Sequence, residues 1–301
     1  MAEIHLRSYA KINLSLDVAG TRSDGYHDLS TVMQRISLYD RIHMEWLPDE
    51  EPEIRIELTT NRPYLPTDER NLAYKAAQIM IQQYAEAAGI SGGLLKISIT
   101  KNIPVAAGLA GGSGNGAAVL IGLNRLWNLK LDTRQLCKAG ELLGSDVPFC
   151  ILVQNSRYRA ALATGRGEVL QPLRKSMKKH IVLAKPAFGV STKEVFQCID
   201  NYEIKQRPDN WALIQGLASG DDRQVYENMT NVLELYTLER YEPVKKLKQL
   251  LEAEADVEKV LMSGSGPTVF AVFSSEKAAR SACMNMRSMR YEAYWASTDG
   301  R

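Results

Sequence analysis

Between Tyr9 and Val18 the chain alternates strictly, with Ile12, Leu14, Leu16 and Val18 on one side and Lys11, Asn13, Ser15 and Asp17 on the other. That is the period of a strand. Leu94 to Thr100 alternates in the same way, and Ile103 to Ala118 then carries five glycines and one serine within nine residues (108–116). Val119, Leu120, Leu123, Leu126 and Trp127 follow at helical spacing, so the local order is strand, Gly-rich loop, helix. Further helices are expected from Asn71 to about Ala88 with Gly89 as stop, and from Asp132–Thr133 to Leu143, closed by Gly144. Others are expected after a Ser191 or Thr192 cap, from Glu242 to Ala255 and from Glu276 to Met289. Strands are expected at His180–Ala184, on either side of a Ser-Gly-Ser-Gly-Pro-Thr turn between Lys259 and Phe273, and at Tyr291–Ser297. Arg22 to His27 reads as a polar turn between two strand-like runs, and Arg174 to Lys179 as a basic linker.

Five glycines let backbone amides approach an anion, and the first turn of the following helix offers unpaired N–H groups. A phosphate is the natural guest. The plain alternative is an ordinary turn with Asn115 as helix cap, which needs one residue rather than five glycines. No Gly-Lys-Ser/Thr occurs, so this is not a P-loop. Gly112-x-Gly114-x-x-Ala117 matches the dinucleotide fingerprint only superficially, because Lys101 to Ala107 intervene after the strand and no acidic residue follows at the ribose position. The 301 residues, 45% hydrophobic and 24% charged, describe a globular chain with ample core material, and a formal charge of +2 gives no argument for nucleic acid or membrane. Four cysteines without a CxxC and four histidines give no zinc pattern, and a cytoplasmic location is the default expectation.

The glycine stretch, Pro104-x-x-x-Gly108-Leu-Ala-Gly-Gly-Ser113-Gly114-Asn115, resembles the phosphate loop of the GHMP (galactokinase, homoserine, mevalonate and phosphomevalonate) kinases, and the rest of the chain agrees in order. Ala-Lys11-Ile-Asn13-Leu is similar to the opening motif. Asp24-Gly-Tyr26-His27 and Gly189-Val-Ser-Thr192 with Phe196 are similar to the segments that hold a cytidine nucleotide in one branch of the family. Gly144-x-Asp146-Val-Pro is similar to the catalytic aspartate motif, and Ser263-Gly264-Ser265-Gly266 to the third family motif. Asn231-Val-Leu-Glu234 matches a signature without an assigned role.

The resemblance implies a two-domain α+β GHMP kinase fold. It pairs a ribosomal-protein-S5-like N-terminal domain (residues 1–174, ATP and catalysis) with a ferredoxin-like C-terminal domain (175–301, substrate). It also implies Lys11 and Asp146 as catalytic pair, the aspartate as general base. ATP would meet Asn71, Lys101, Pro104, Gly108, Leu109, Ala110, Gly111, Gly112, Ser113, Gly114 and Asn115. Substrate would meet Asn13, Tyr26, His27, Thr192 and Phe196, with Gly264, Ser265 and Gly266 closing the phosphate side. The implied cofactors are ATP and Mg²⁺, with Ser113 or Asn115 as candidate metal contact. The implied acceptor is the 2-hydroxyl of cytidine diphosphate methylerythritol, and the implied assembly a monomer or weak homodimer.

Residue by residue, plainer readings stand beside these: a cap for Asn71, a surface lysine for Lys101, a turn aspartate for Asp146 and a core aromatic for Phe196. Two departures from the family pattern stand out. Gly114 and Gly116 replace bulkier residues, and Ile151 to Ala160 reads as a lengthened hairpin link without glycine that could reshape the pocket. They motivate a second reading, a non-catalytic nucleotide-binding descendant. A GHMP kinase for another small alcohol is a third.

Overall fold

The computed structural model describes residues 2–51 and 53–298. Its elements run β1 (Ala2–Asn13), β2 (Asp17–Thr21), β3 (His27–Leu47), β4 (Ile54–Thr60), α1 (Leu72–Met80), β5 (Gly93–Thr100) and α2 (Gly111–Leu126). They continue as α3 (Thr133–Glu141), α4 (Val147–Asn155), β6 (Ala160–Gly165), β7 (Val169–Leu173), β8 (His180–Lys185) and α5 (Thr192–Ile199). Then come α6 (Asn210–Ser219), α7 (Asp222–Asn228), α8 (Glu234–Arg240), α9 (Glu242–Glu252), β9 (Val257–Met262), β10 (Val269–Phe273), α10 (Glu276–Ser288) and β11 (Glu292–Ser297). The chain divides into two compact units, and neither is contiguous in sequence.

The first unit comprises residues 1–10, 38–104 and 110–157. Here β5 lies between β4, which runs parallel to it, and the second half of β3, which runs antiparallel. The parallel pair is joined through α1, as a crossover requires. Alternation decides which face is buried: Ile42 and Met44 of β3 and Leu95, Ile97 and Ile99 of β5 point into a core completed by Ala73, Ala77, Leu120 and Leu123 of the helices. Asn71 caps α1 through Ala73 N–H, and the helix path continues as a π turn and a 3₁₀ turn to Gly89, which takes a left-handed φ of 69°. Asp132 and Gln135 form a reciprocal capping box on α3.

The second unit comprises residues 11–37, 105–109 and 158–301. Its main sheet has the order β11-β8-β10-β9, antiparallel throughout. With helices between β8 and β9 and between β10 and β11, this is the β-α-β-β-α-β ferredoxin-like arrangement. Val182, Ala184, Met262, Val269 and Phe273 pack against Val195, Leu247, Leu251, Ala282 and Met286 of its helices. Elsewhere in the unit, the first half of β3 pairs with β2 and with β6, and β6 with β7.

Three expectations are corrected. Residues 151–155 are not a hairpin link but the second half of α4, and Ile151, Leu152 and Val153 are buried. The glycine-loop helix begins at Gly111, so Asn115 lies inside it and Ala110 occupies the cap position. The strand expected over Tyr9–Val18 is broken, because β1 ends at Asn13 and Val18 belongs to β2, and Lys11, Asn13 and Ser15 are buried as thoroughly as Ile12 and Leu14.

Candidate active site

Within the second unit, three motifs distant in sequence meet around Gly108 and Leu109. The Lys11 backbone N–H donates to Leu109 O at 3.1 Å, and Ser263 Oγ donates to Gly108 O at 3.0 Å. Gly108 takes a φ of +70°, and a Cβ there would lie 2.3 Å from Ser263 O, so no other residue fits. The Lys11 ammonium donates to Asn13 Oδ1 at 2.7 Å, and Asn13 Nδ2 donates to Thr31 Oγ1 at 2.8 Å. A Cβ on Gly264 would lie 3.7 Å from Asn13 Oδ1 and 3.3 Å from Gly108 O. The opening strand, the middle of the glycine loop and the 263–266 turn therefore share one small volume. Thr192, at the start of α5, joins it through a 2.9 Å hydrogen bond between its hydroxyl and that of Ser265.

The candidate base contacts are also in this unit. Tyr26 is 55% exposed at the tip of the β2–β3 hairpin, with the Arg166 guanidinium 5.1 Å from its ring centre. The His27 side chain is buried, with Nε2 3.0 Å from both carboxylate oxygens of Asp200 and its ring 5.5 Å from that of Phe196. Burial pushes the Asp200 carboxyl up, but the hydrogen bonds from His27 and Thr21 outweigh it and hold the group below its usual range.

The first unit supplies the start of α2. Just before it, Ala106, Gly108 and Ala110 take positive φ values of 50°, 70° and 54°. The first helical bond runs from Gly114 N–H to Ala110 O, so the amides of Gly111, Gly112 and Ser113 have no partner within the helix. Pro104 is buried ahead of this loop. Beneath it lies a buried polar network. The Asp40 carboxylate accepts from the Lys101 ammonium, from Asn115 Nδ2 and from the backbone N–H groups of Asn102 and Ile103. Asn115 Oδ1 accepts from Lys101 Nζ at 3.0 Å, and Asn115 Nδ2 also reaches Ser8 Oγ. The side chains of Lys101 and Asn115 are thus spent on fixing the loop from below.

Asn71 likewise spends its amide on the α1 cap and on Pro66 O. Asp146 is half-buried in the turn that leads into α4, at its N-cap position, with no capping hydrogen bond from its side chain. Thr31, Asp40 and Ser8 carry no motif in the sequence yet hold Asn13, Lys101 and Asn115. For Asp40 a signal exists, because it falls in phase with Ile36, Ile42, Met44 and Trp46, the buried face of β3, and a carboxylate there requires partners. Among the described residues, one group of metal-type donors converges, Glu3, His5 and His43, with ligand atoms within 4.8 Å of one another. None of these belongs to the motifs.

The family model for the N-terminal domain of GHMP kinases matches residues 71–154, and that for their C-terminal domain matches residues 213–290. The chain is 44% identical to the 4-diphosphocytidyl-2-C-methyl-D-erythritol kinase of Alkaliphilus metalliredigens over 95% of this chain and 93% of the relative. The chain belongs to the GHMP kinases. The Alkaliphilus oremlandii enzyme of the same name is 43% identical over 99% of this chain and 97% of its own length. A crystal structure of 4-(cytidine 5'-diphospho)-2C-methyl-D-erythritol kinase superposes with a TM-score of 0.78 at 31% identity, covering 98% of both chains. A homoserine kinase from Cytophaga hutchinsonii, at 19% identity and a TM-score of 0.72 over 99% of this chain and 95% of its own, shares the fold. This GHMP kinase is accordingly an ATP-using phosphotransferase with the two-domain α+β fold of its family.

Proposed function

We propose that the chain transfers the γ-phosphoryl group of ATP to the 2-hydroxyl of 4-diphosphocytidyl-2-C-methyl-D-erythritol, a step of non-mevalonate isoprenoid synthesis. The observation that carries this reading is the meeting of Lys11 and Asn13 with Gly108 and the 263–266 turn, in a chain 44% identical to a kinase of that name. Phosphoryl transfer asks the protein for position and charge stabilisation more than covalent chemistry. Asp146 accepts the proton of the substrate hydroxyl as general base, and the Lys11 ammonium stabilises charge on the attacking oxygen and the moving phosphoryl group. The amides of Gly111, Gly112 and Ser113 take the phosphates of the nucleotide. Tyr26 and Phe196 stack on the cytosine. The His27 ring is held by Asp200, so its main chain is what remains for the base edge.

Mg²⁺ is a hard cation that keeps several waters and uses one or two protein oxygens beside the phosphates. The Ser113 hydroxyl, in the first turn of α2, fits that demand. The Asn115 side chain does not, because its oxygen accepts from Lys101 and its nitrogen donates to Asp40 and Ser8. The ion supplies neutralisation of triphosphate charge.

The grounds for a non-catalytic descendant fall away in the structure. Ser8 fills the space at Gly114, the Leu72 carbonyl lies 3.3 Å from where a Gly116 Cβ would stand, and the supposed long link is helix. The test is ADP release by the purified chain with ATP and Mg²⁺, comparing the cytidine compound, homoserine and mevalonate. Turnover with the cytidine compound alone is expected. Turnover with one of the other alcohols in its place, or with none of the three, overturns the reading.

A further inference from the structure

The Asn231-Val-Leu-Glu234 signature has no part in the reaction as described, yet its two polar side chains close on the 263–266 turn from behind. Asn231 is 3% exposed, and its Nδ2 donates to the carbonyls of Met262 and Gly264, both at 2.8 Å. Its Oδ1 accepts from Leu233 N–H at 3.0 Å, so the whole amide is used. Glu234 Oε1 accepts from Met262 N–H at 2.8 Å while its other oxygen pairs with Lys248 at 2.6 Å. Met262, the last residue of β9, is therefore gripped at its N–H by Glu234 and at its carbonyl by Asn231. The clamp itself is anchored, since Leu16 N–H donates to Thr230 O and Val232 N–H donates to Leu16 O, both at 2.9 Å. Leu16 directly follows the Lys11–Ser15 stretch, so one short segment ties the opening strand to the turn.

The consequence lies in the Gly264–Ser265 peptide. A trans peptide points its C=O and its N–H in opposite directions. With Gly264 O caught by Asn231, the Ser265 N–H faces away from Asn231. Gly264 adopts a φ of 58°, and a glycine on this side of the peptide leaves it free to turn over if nothing held it. We propose that Asn231 and Glu234 are positioning residues that fix the Gly264–Ser265 peptide so that the Ser265 amide donates to the phosphoryl group in transfer. This rests on the kinase reading given above.

Asn231→Asp keeps size and shape but loses both donated bonds and sets a carboxylate against two carbonyls. Its kcat should fall at least 10-fold, as for removal of one oxyanion donor, while KM for the cytidine substrate, bound through Tyr26 and Phe196, changes less than about 3-fold. Glu234→Leu, with Asn231 intact, should show the same split. Hydrogen exchange of the 262–268 segment needs no turnover and should rise in both variants. Wild-type kcat in either variant, an equal rise in both KM values with kcat retained, or unchanged exchange at 262–268 overturns the proposal. Failure of the wild-type chain to release ADP would instead count against the kinase reading, while the exchange measurement still tests the clamp.

Discussion

A Cβ on Gly114 would lie 2.7 Å from Ser8 Oγ and 3.3 Å from Tyr9 O. The residue is small because the serine of β1, which also accepts from Asn115, already occupies its space. Gly114→Ser should destabilise by about 1–3 kcal/mol, and adding Ser8→Gly should recover part of the loss, read as Tm. Spacing in the sequence exposed the run of glycines but not this partner, which comes from a strand more than a hundred residues earlier. The same holds for Lys101, whose place beside the loop is legible while its pairing with Asp40 is not. Asp40→Asn leaves a buried ammonium without its carboxylate and should cost about 3–5 kcal/mol in chemical denaturation. The Cys137 thiol is pushed up to about 11 by burial and by the nearby Glu141 and Asp132 carboxylates. It should alkylate slowly at pH 8. Its stabilising share, full below the ordinary value of 9.0, declines as pH rises toward 11; rapid alkylation of Cys137 at pH 8 would contradict this.

At the scale of elements, β5, α1, α3, α9 and α10 are legible because each presents one period, and α1, α3 and α10 a cap as well. Asn71, the Asp132–Gln135 box and Gly89 are examples. Helix α4 is not legible, because Val147 to Val153 is buried on all sides and shows no polar face to set a period. Helices α6 to α8 also escape the pattern, being short and separated by two and five residues. The placement of α4 has a direct check. Ile151→Ala should lose about 2–4 kcal/mol in urea unfolding, whereas a substitution in an exposed link would stay within about 0.5 kcal/mol.

At the scale of the molecule, two units each have a core of their own. The second brings Lys11, Asn13, Gly108, Thr192 and the 263–266 turn together. That convergence is what the ordered motifs in the sequence imply, and the fold alone would not distinguish it from a homoserine kinase, which superposes nearly as well. Asp146→Asn should retain ATP binding and lose 10²–10⁴-fold in kcat, about the share of a general base, as measured by steady-state ADP release. The central claim, transfer to the acceptor's 2-hydroxyl, is tested most directly by ³¹P NMR of the wild-type reaction with ATP, Mg²⁺ and 4-diphosphocytidyl-2-C-methyl-D-erythritol. The account predicts one new phosphomonoester resonance, coupled to the methylerythritol carbons, appearing in step with ADP while the cytidine diphosphate signals persist. ADP accompanied only by inorganic phosphate, or loss of the diphosphate signals, would contradict it.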